Sequence, residues 1–398
     1  MPLPDRDCPR LRRRTGSIGL ERAGQRRMNH GGRTIRLTFF LSLSLALAGC
    51  AGRPGPQTVW PVADSAAAGQ RQKIFVTTTR SRAEVAADGY TDGRSPSTNF
   101  AEFEVSIPPD HVPGAIEWSE GRPDPHSDFA VANHLRVDEA TFFARLDRMD
   151  DQGVGVFVHG FNYNFPEALF RLAQMTADVQ LEGTPVLFTW PSSASLLGYA
   201  YDKESASYSR DALAGLLTKL AKSTSSEPVT VFGHSMGGWL VMEVLRQMRI
   251  AGEDEALTRL EVVLAAPDID VDLFRQQLAV IGKMDIPMVL MVSSDDRALQ
   301  LSSAIAGQKP RVGALSLSDP AVQAAAKASN VVLLDISSID ATSGMNHDRY
   351  IGLAAAYPSL VDEMQSEQPL RDAGTYIIDA AGQVLTAPLR VVGAAISE

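Results

Sequence analysis

The stretch that most constrains the fold is residues 228–245, Pro-Val-Thr-Val-Phe-Gly-His-Ser-Met-Gly-Gly-Trp-Leu-Val-Met-Glu-Val-Leu. Three β-branched residues (Val229, Thr230, Val231) lead into Gly233-His234-Ser235-Met236-Gly237, and an apolar, helix-compatible run follows from Trp239 to Ile250. The order is strand, sharp turn, helix, with a serine at the apex. Glycines two positions before and after it allow a tight turn with no Cβ in the way. The five-residue pattern is weak by itself; the flanking strand and helix make it specific. It predicts a serine nucleophile, and the plainer alternative is a glycine-rich strand-to-helix turn.

The same alternation extends along the chain. A buried strand at 154–158 ends in His159-Gly160-Phe161-Asn162, a helix spans about 166–180, and a strand occupies 185–190. A loop at 191–202 and a helix over 204–222 precede the nucleophile strand, and further strands lie at 260–265, 287–292 and 331–336. Upstream, 73–79 reads as the first strand, followed by a polar loop through Pro96. Residues 100–107 alternate apolar and polar, as a half-exposed strand near a sheet edge would. Residues 119–135 look like surface loop and 137–149 like a short helix. Strands alternating with helices, most without surface-type alternation, predict an α/β fold: a mostly parallel sheet with helices on both faces. Near the C-terminus, 375–379 and 384–386 suggest a small appended hairpin.

The N-terminal 36 residues hold ten arginines and three acidic residues, and a short apolar run at 37–48 ends in Leu47-Ala48-Gly49-Cys50. About twelve apolar residues are too few for a permanent membrane span but suit a signal sequence. A cysteine after Leu-Ala-Gly resembles a bacterial lipobox, which implies cleavage before Cys50 and acylation of its thiol. Residues 1–49 are therefore expected to be a lipoprotein signal, with Met28 a possible true start. A flexible tether is expected at 50–72, a main domain at 73–365 and a C-terminal extension at 366–398. The location implied is the bacterial envelope, and Ala51 after Cys50 favours the outer membrane by analogy.

Residues 50–398 keep 27 basic and 44 acidic side chains, a balance of about −17. A body this acidic excludes nucleic acid as a partner and excludes electrostatic docking onto anionic lipid. The only cysteines are Cys8 and Cys50, so a chain cut before Cys50 has no pair to form a disulfide.

A serine hydroxyl needs a base to take its proton and a third group to orient that base. Of seven histidines only His347 follows Ser235, in Gly344-Met345-Asn346-His347-Asp348-Arg349-Tyr350 beyond the last strand. Two sets of carboxylates end strands where the orienting acid is needed: Asp295 and Asp296 in one, Asp268 and Asp270 in the other. The alternative role for each is helix N-capping, and the residues alone do not separate Asp295 from Asp296. Backbone N–H groups of Met236 and Phe161, with Asn162 the second choice for the latter, are the expected oxyanion donors. His159 lies upstream and reads as a loop-shaping residue.

These pieces together resemble the α/β-hydrolase superfamily, and more narrowly a bacterial group of uncharacterised esterase- and lipase-like hydrolases. The matching segments are Phe75-Val-Thr-Thr-Thr-Arg80, Val105-Ser-Ile-Pro-Pro-Asp-His111 with Pro113-Gly114, and Val158-His-Gly-Phe-Asn162. They continue with Thr189-Trp-Pro-Ser192, Tyr201-Asp202, Gly233-His-Ser-Met-Gly237, Ser293-Ser-Asp-Asp-Arg-Ala-Leu299 and His347. In that group the aspartate directly before Arg-Ala-Leu is the acid, so the resemblance implies Ser235, Asp296 and His347. The reaction expected is hydrolysis of a carboxylic ester, a small-molecule substrate, through an acyl-enzyme. The same triad also serves acyl transfer and amide hydrolysis, and a non-catalytic envelope binding protein is the reading from another class. No metal or organic cofactor is called for, since neither zinc-like Cys/His spacing nor a phosphate loop is present. Trp190, Leu196, Leu197, Tyr199 and Trp239 are candidates to line an acyl pocket.

Overall fold

The computed structural model describes residues 52–62, 69–83, 89–149, 153–179, 183–223, 228–354 and 391–392. Its strands are β1 (Arg71–Arg82), β2 (Tyr90–Ser106), β3 (Ala130–Val137), β4 (Val154–Val158), β5 (Thr184–Thr189), β6 (Val229–His234), β7 (Leu260–Ala265), β8 (Met288–Val292), β9 (Val331–Asp335) and β10 (Val391–Val392). The helices are α1 (Glu139–Leu146), α2 (Phe165–Asp178), α3 (Tyr199–Tyr208), α4 (Arg210–Ser223), α5 (Met236–Ile250), α6 (Asp254–Thr258), α7 (Val271–Ile281), α8 (Arg297–Ile305) and α9 (Pro320–Ala328). One sheet results, in the order β10-β9-β8-β7-β6-β4-β5-β1-β2-β3. Pairing is parallel from β1 through β5, β4, β6, β7 and β8 to β9. It is antiparallel only at the margins, β1-β2-β3 on one side and β9-β10 on the other. This is the α/β architecture expected from the sequence.

Strand periodicity sends neighbouring side chains to opposite faces, and both faces are covered. Val156 and Val158 of β4 pack into one core with Leu217, Leu240 and Val244. Phe157 between them joins the opposite core with Leu169, Phe170 and Ala173 of α2. The chain runs outward from β4 to β5, then returns to place β6 on the other side of β4. The strand order therefore reverses between β4 and β6. The crevice at their C-terminal ends is where open α/β sheets hold their ligands.

The N-terminal third departs from expectation. The polar loop read through Pro96 is strand from Tyr90 onward, and residues 130–135 of the expected surface loop belong to the edge strand β3, which runs on to Val137. Register shifts at Thr78/Arg80 and Arg80/Arg82 mark irregularities in the pairing, and Gly93 and Pro96 masked the strand signal. The alternating residues 100–107 are not half-exposed, because α1 covers them. Phe142 packs edge-on against Phe75 at 5.4 Å and tilted against Phe100 at 5.1 Å. Glu102, polar in the alternation, is buried with both oxygens 3.2 Å from Arg145. The helix expected over 204–222 is two helices, α3 and α4, meeting at Ser209.

The tether expected at 50–72 is docked where it is described. Pro56–Val59 forms a 3-10 turn with Thr58 and Val59 buried, and Asn164 donates to the Pro54 carbonyl at 2.8 Å. Val59 joins the aromatic core around Tyr90, Phe103 and Phe165, an apolar contact too sparse in sequence to announce itself. The expected hairpin at 375–386 lies outside the described residues, as does Cys50. Among the described residues no helix is long and apolar enough to cross a membrane.

His111, from the Val105-to-His111 motif, explains part of that motif's chemistry. Its ring nitrogens meet Glu117 at 2.8 Å and Asp178 of α2 at 3.0 Å. Burial alone would lower its pKa, but the hydrogen bonds and charges of Asp178 and Glu117 outweigh burial and raise it. A raised folded-state pKa means stabilisation that is full below the unfolded value of about 6.5 and lost as pH climbs through the folded value. Urea melts of the native chain and His111→Gln between about pH 6 and 9 should show a stability gap that narrows with rising pH. A constant gap would mean the ring is not charged in the fold.

Candidate active site

Ser235 sits at the hinge between β6 and α5 with φ 54° and ψ −119°, a left-handed conformation that a non-glycine residue rarely holds. Three backbone bonds impose it. The Ser235 N–H donates to Ala265 at 2.9 Å, and its carbonyl accepts from Asp268 at 3.1 Å and Trp239 at 3.3 Å. The close packing that glycine permits is visible at Gly237: a Cβ there would stand 2.3 Å from the Val158 carbonyl oxygen and 2.5 Å from that of His159. Neither backbone atom can retreat. At Gly160 an added Cβ would lie 3.0 Å from the Ser235 Cβ, so the β4 loop runs directly against the serine. Such strain, held by the surrounding structure, is characteristic of functional positions.

His347 lies in the loop after β9. Its Nδ1 is 2.6 Å from Oδ2 of Asp296, which is fully buried, while the histidine side chain is partly open. Asp296 also caps α8 by accepting from the Leu299 N–H at 2.9 Å. One carboxylate thus serves the cap and the histidine together. Asp295 faces another way: it meets Arg349 at 2.6 Å and Asn346 at 2.9 Å, bracketing His347 on both sides and tying its loop to the end of β8. The residue pattern alone left the two neighbours equivalent; in the structure Asp296 meets His347 and Asp295 meets Arg349. Asp270 is the N-cap of α7. Asp268 accepts from Tyr199 at 2.8 Å and Ser302 at 2.7 Å, with the Arg311 guanidinium 3.2 Å away.

Sequence reasoning passed over His234. Its Nε2–H donates to the His347 carbonyl at 3.2 Å, so the residue before the serine holds the backbone of the later histidine. Its ring packs 4.5 Å from Tyr350 and 4.8 Å from His347. Burial, then the neighbouring His347, pushes its pKa well below the ordinary histidine value, so it stays neutral. The signal was its place inside the Gly-His-Ser-Met-Gly turn.

The loop after β4 is held from three sides. Asn162, at φ 64°, gives its N–H to Asp202 at 3.2 Å. That N–H is committed, whereas the Phe161 N–H has no acceptor among the described residues, and that of Met236 opens α5, where no intrahelical acceptor exists. Asp202 is fully buried and also accepts from Ser192 Oγ at 2.6 Å and from the Ser193 N–H at 2.7 Å. Arg80, also buried, donates to the carbonyls of Tyr163 at 2.9 Å and Ser192 at 3.2 Å and, through Nε, to Thr189 Oγ1 at 2.9 Å. Burial lowers its pKa to about 10, which leaves the guanidinium charged.

His159 completes this network. The Trp190 N–H can only donate, so His159 Nε2 accepts it at 3.2 Å, and Nδ1–H donates to the Gly160 carbonyl at 2.9 Å. Burial, reinforced by Arg80, lowers its pKa to about 3. It is a neutral spacer, as the loop-shaping expectation had it. Arg53, from the segment expected to be a tether, reaches the same loops, donating to Asn162 at 3.2 Å and Ala194 at 3.0 Å.

The candidate pocket residues divide. Trp190 is fully buried core, stacked on His159 at 4.8 Å, and Leu196 and Leu197 face solvent. Tyr199 packs edge-on to Phe161 at 5.4 Å, and Trp239 carries the Lys203 ammonium 3.5 Å above its ring. Those two adjoin the crevice. Burial lowers the Lys203 pKa to about 7.

Residues 136–364, more than half of the chain, match the model of a family described as "Alpha/beta hydrolase of unknown function (DUF900)". Among solved structures, an inferred hydrolase from Agrobacterium vitis S4 is 13% identical, with 55% of this chain and 82% of that one covered and a TM-score of 0.28. A fungal esterase from Rhizomucor miehei is also 13% identical, with 67% and 82% covered and a TM-score of 0.27. Both likenesses are distant. No curated protein matches the sequence.

Proposed function

We propose that this chain, which belongs to the family of alpha/beta hydrolases of unknown function, is a serine hydrolase that cleaves carboxylic esters. Ser235 attacks the ester carbonyl while His347 takes its proton, and Asp296 holds the imidazole in the tautomer that can accept it. The N–H groups of Met236 and Phe161 receive the charge on the tetrahedral oxygen. Collapse expels the alcohol, protonated by His347, and leaves an acyl-Ser235 ester. Water activated by the same histidine then releases the acid. The observation that carries this reading is the 2.6 Å pair of His347 with the buried Asp296, on a loop whose backbone is bonded to the residue before a strained serine.

Acylation at Cys50, after removal of the preceding residues, would place the enzyme on an envelope membrane. Metabolic labelling with a palmitate analogue, compared with Cys50→Ala, tests that placement.

Labelling with a fluorophosphonate and reading the modified residue by mass spectrometry tests the nucleophile. Stoichiometric modification at Ser235, absent in His347→Ala, is expected. A folded chain that leaves Ser235 unmodified would sink the hydrolase reading and favour a binding role.

A further inference from the structure

We infer that the rim of the Ser235 crevice is a membrane-contact face, and that its substrate is a long-chain ester taken from the bilayer. The inference rests on the hydrolase reading and the acylation of Cys50 proposed above. The loop between β5 and α3 exposes Leu196 at 74% and Leu197 at 98%. That loop is not slack. Its base is fixed by Asp202 through Ser192 and Ser193 and by Arg53 through the Ala194 carbonyl. Helix α8, capped by Asp296, exposes Leu301 at 57% and Ile305 at 62%, four residues apart and so on one helical face. Met345, two residues before His347 and bonded through its carbonyl to the Arg297 N–H, is 41% exposed.

All three segments follow the C-terminal ends of parallel strands β5, β8 and β9, the end at which Ser235 stands. Helix α8 is also linked to the loop after β4, since Tyr199 touches both Phe161 and Ser302. Single exposed leucines are ordinary, but these three segments expose five large apolar side chains, all on connections that leave the C-terminal ends of the strands, and we read them as the lipid-facing rim.

The covalent chain supplies the occupant. Arg53 docks at Asn162 and Ala194, and it follows Cys50 by three residues. Three residues reach at most about 11 Å. An acyl chain on Cys50 would therefore be three residues of chain from Arg53, whose guanidinium docks on the loop that carries Leu196 and Leu197. The acidic balance of residues 50–398 removes anionic lipid as the attraction and leaves apolar contact. An ester already embedded in the bilayer then reaches Ser235 by sliding its head along the leucine-bearing loop, with its tail still in lipid.

The test uses the full acylated chain in phosphatidylcholine vesicles, supplied with either a water-soluble short-chain ester or a long-chain fluorogenic ester dissolved in the bilayer. Replacing both leucines (Leu196→Ser with Leu197→Ser) should leave short-chain turnover within about twofold and lower bilayer-ester turnover about tenfold or more, since each leucine withdrawn from lipid weakens partitioning by about that factor. Equal losses on both esters would make the leucines part of the substrate pocket, and no loss on either would mean the rim touches nothing. Both results overturn the inference. A second measurement does not depend on catalysis: Leu197→Trp emission should be quenched by brominated lipid. If the parent chain turns over neither ester, the hydrolase reading fails, and absence of quenching would independently remove the membrane face.

Discussion

Replacing Asp296 by asparagine is expected to leave the fold standing while turnover falls by about 10⁴-fold, the scale seen when the orienting carboxylate of such a triad becomes an amide. The selectivity comes from the two jobs of one side chain. As the cap of α8, Asp296 accepts the Leu299 N–H at 2.9 Å, and asparagine caps a helix as well as aspartate does. As the partner of His347 Nδ1 at 2.6 Å, it must, in the proposed reaction, be an acceptor that stabilises the imidazolium formed when Ser235 loses its proton. An amide loses that charge and can turn its NH₂ toward the ring, fixing the wrong tautomer. Asp296→Ala removes the cap as well and should cost about 1 kcal/mol of stability beyond the asparagine variant. Thermal melts and turnover of the two variants separate the roles. Full activity in Asp296→Asn would transfer the orienting role elsewhere and leave Asp296 as a cap alone.

Asp202→Ala is expected to be the most damaging change away from the serine and histidine. Its buried carboxylate satisfies the N–H groups of Asn162 and Ser193 and the hydroxyls of Ser192 and Ser193. Each buried donor left unpaired costs about 1–3 kcal/mol. The alanine variant should therefore lose about 4 kcal/mol in urea unfolding, with part of the possible sum recovered by water entering the gap. Activity should suffer separately. With Asp202 gone, the Asn162 N–H is released and the left-handed turn at φ 64° has lost its anchor. The Phe161 N–H then no longer holds its aim, at a cost of about 10²-fold in kcat, the lower range for loss of one oxyanion donor. Turnover measured at low temperature, where the variant remains folded, distinguishes positioning from stability. A folded variant with unchanged kcat would show that the loop is held by Arg80 and Arg53 alone.

Much of this molecule is written in local sequence. The strands from 154 onward are short and β-branched, and their boundaries fall close to those read from pattern, because a strand buried on both faces needs no long-range information to be recognised. The N-terminal third is harder. Strand β2 carries Gly93 and Pro96, and the alternation at 100–107 suggested an open face only because the covering helix α1 lies more than thirty residues later. Segment 53–62 lacks periodicity altogether and is ordered by single contacts such as Arg53 to Ala194, separated by 141 residues.

The sequence by itself determined where the Gly-His-Ser-Met-Gly turn falls, that one histidine alone follows it, and that the sheet is mostly parallel. These depend on spacing along the chain, on residue type and on chain order. Only the tertiary structure put Asp296 on His347 Nδ1 and Asp295 on Arg349, committed the Asn162 N–H to Asp202, and turned Leu196 and Leu197 outward. Each of those depends on which side of a loop faces the crevice. Partners 40 to 54 residues apart fix the first two, and Arg53, 141 residues from Ala194, helps to hold the loop that bears the leucines; no local preference encodes these pairings.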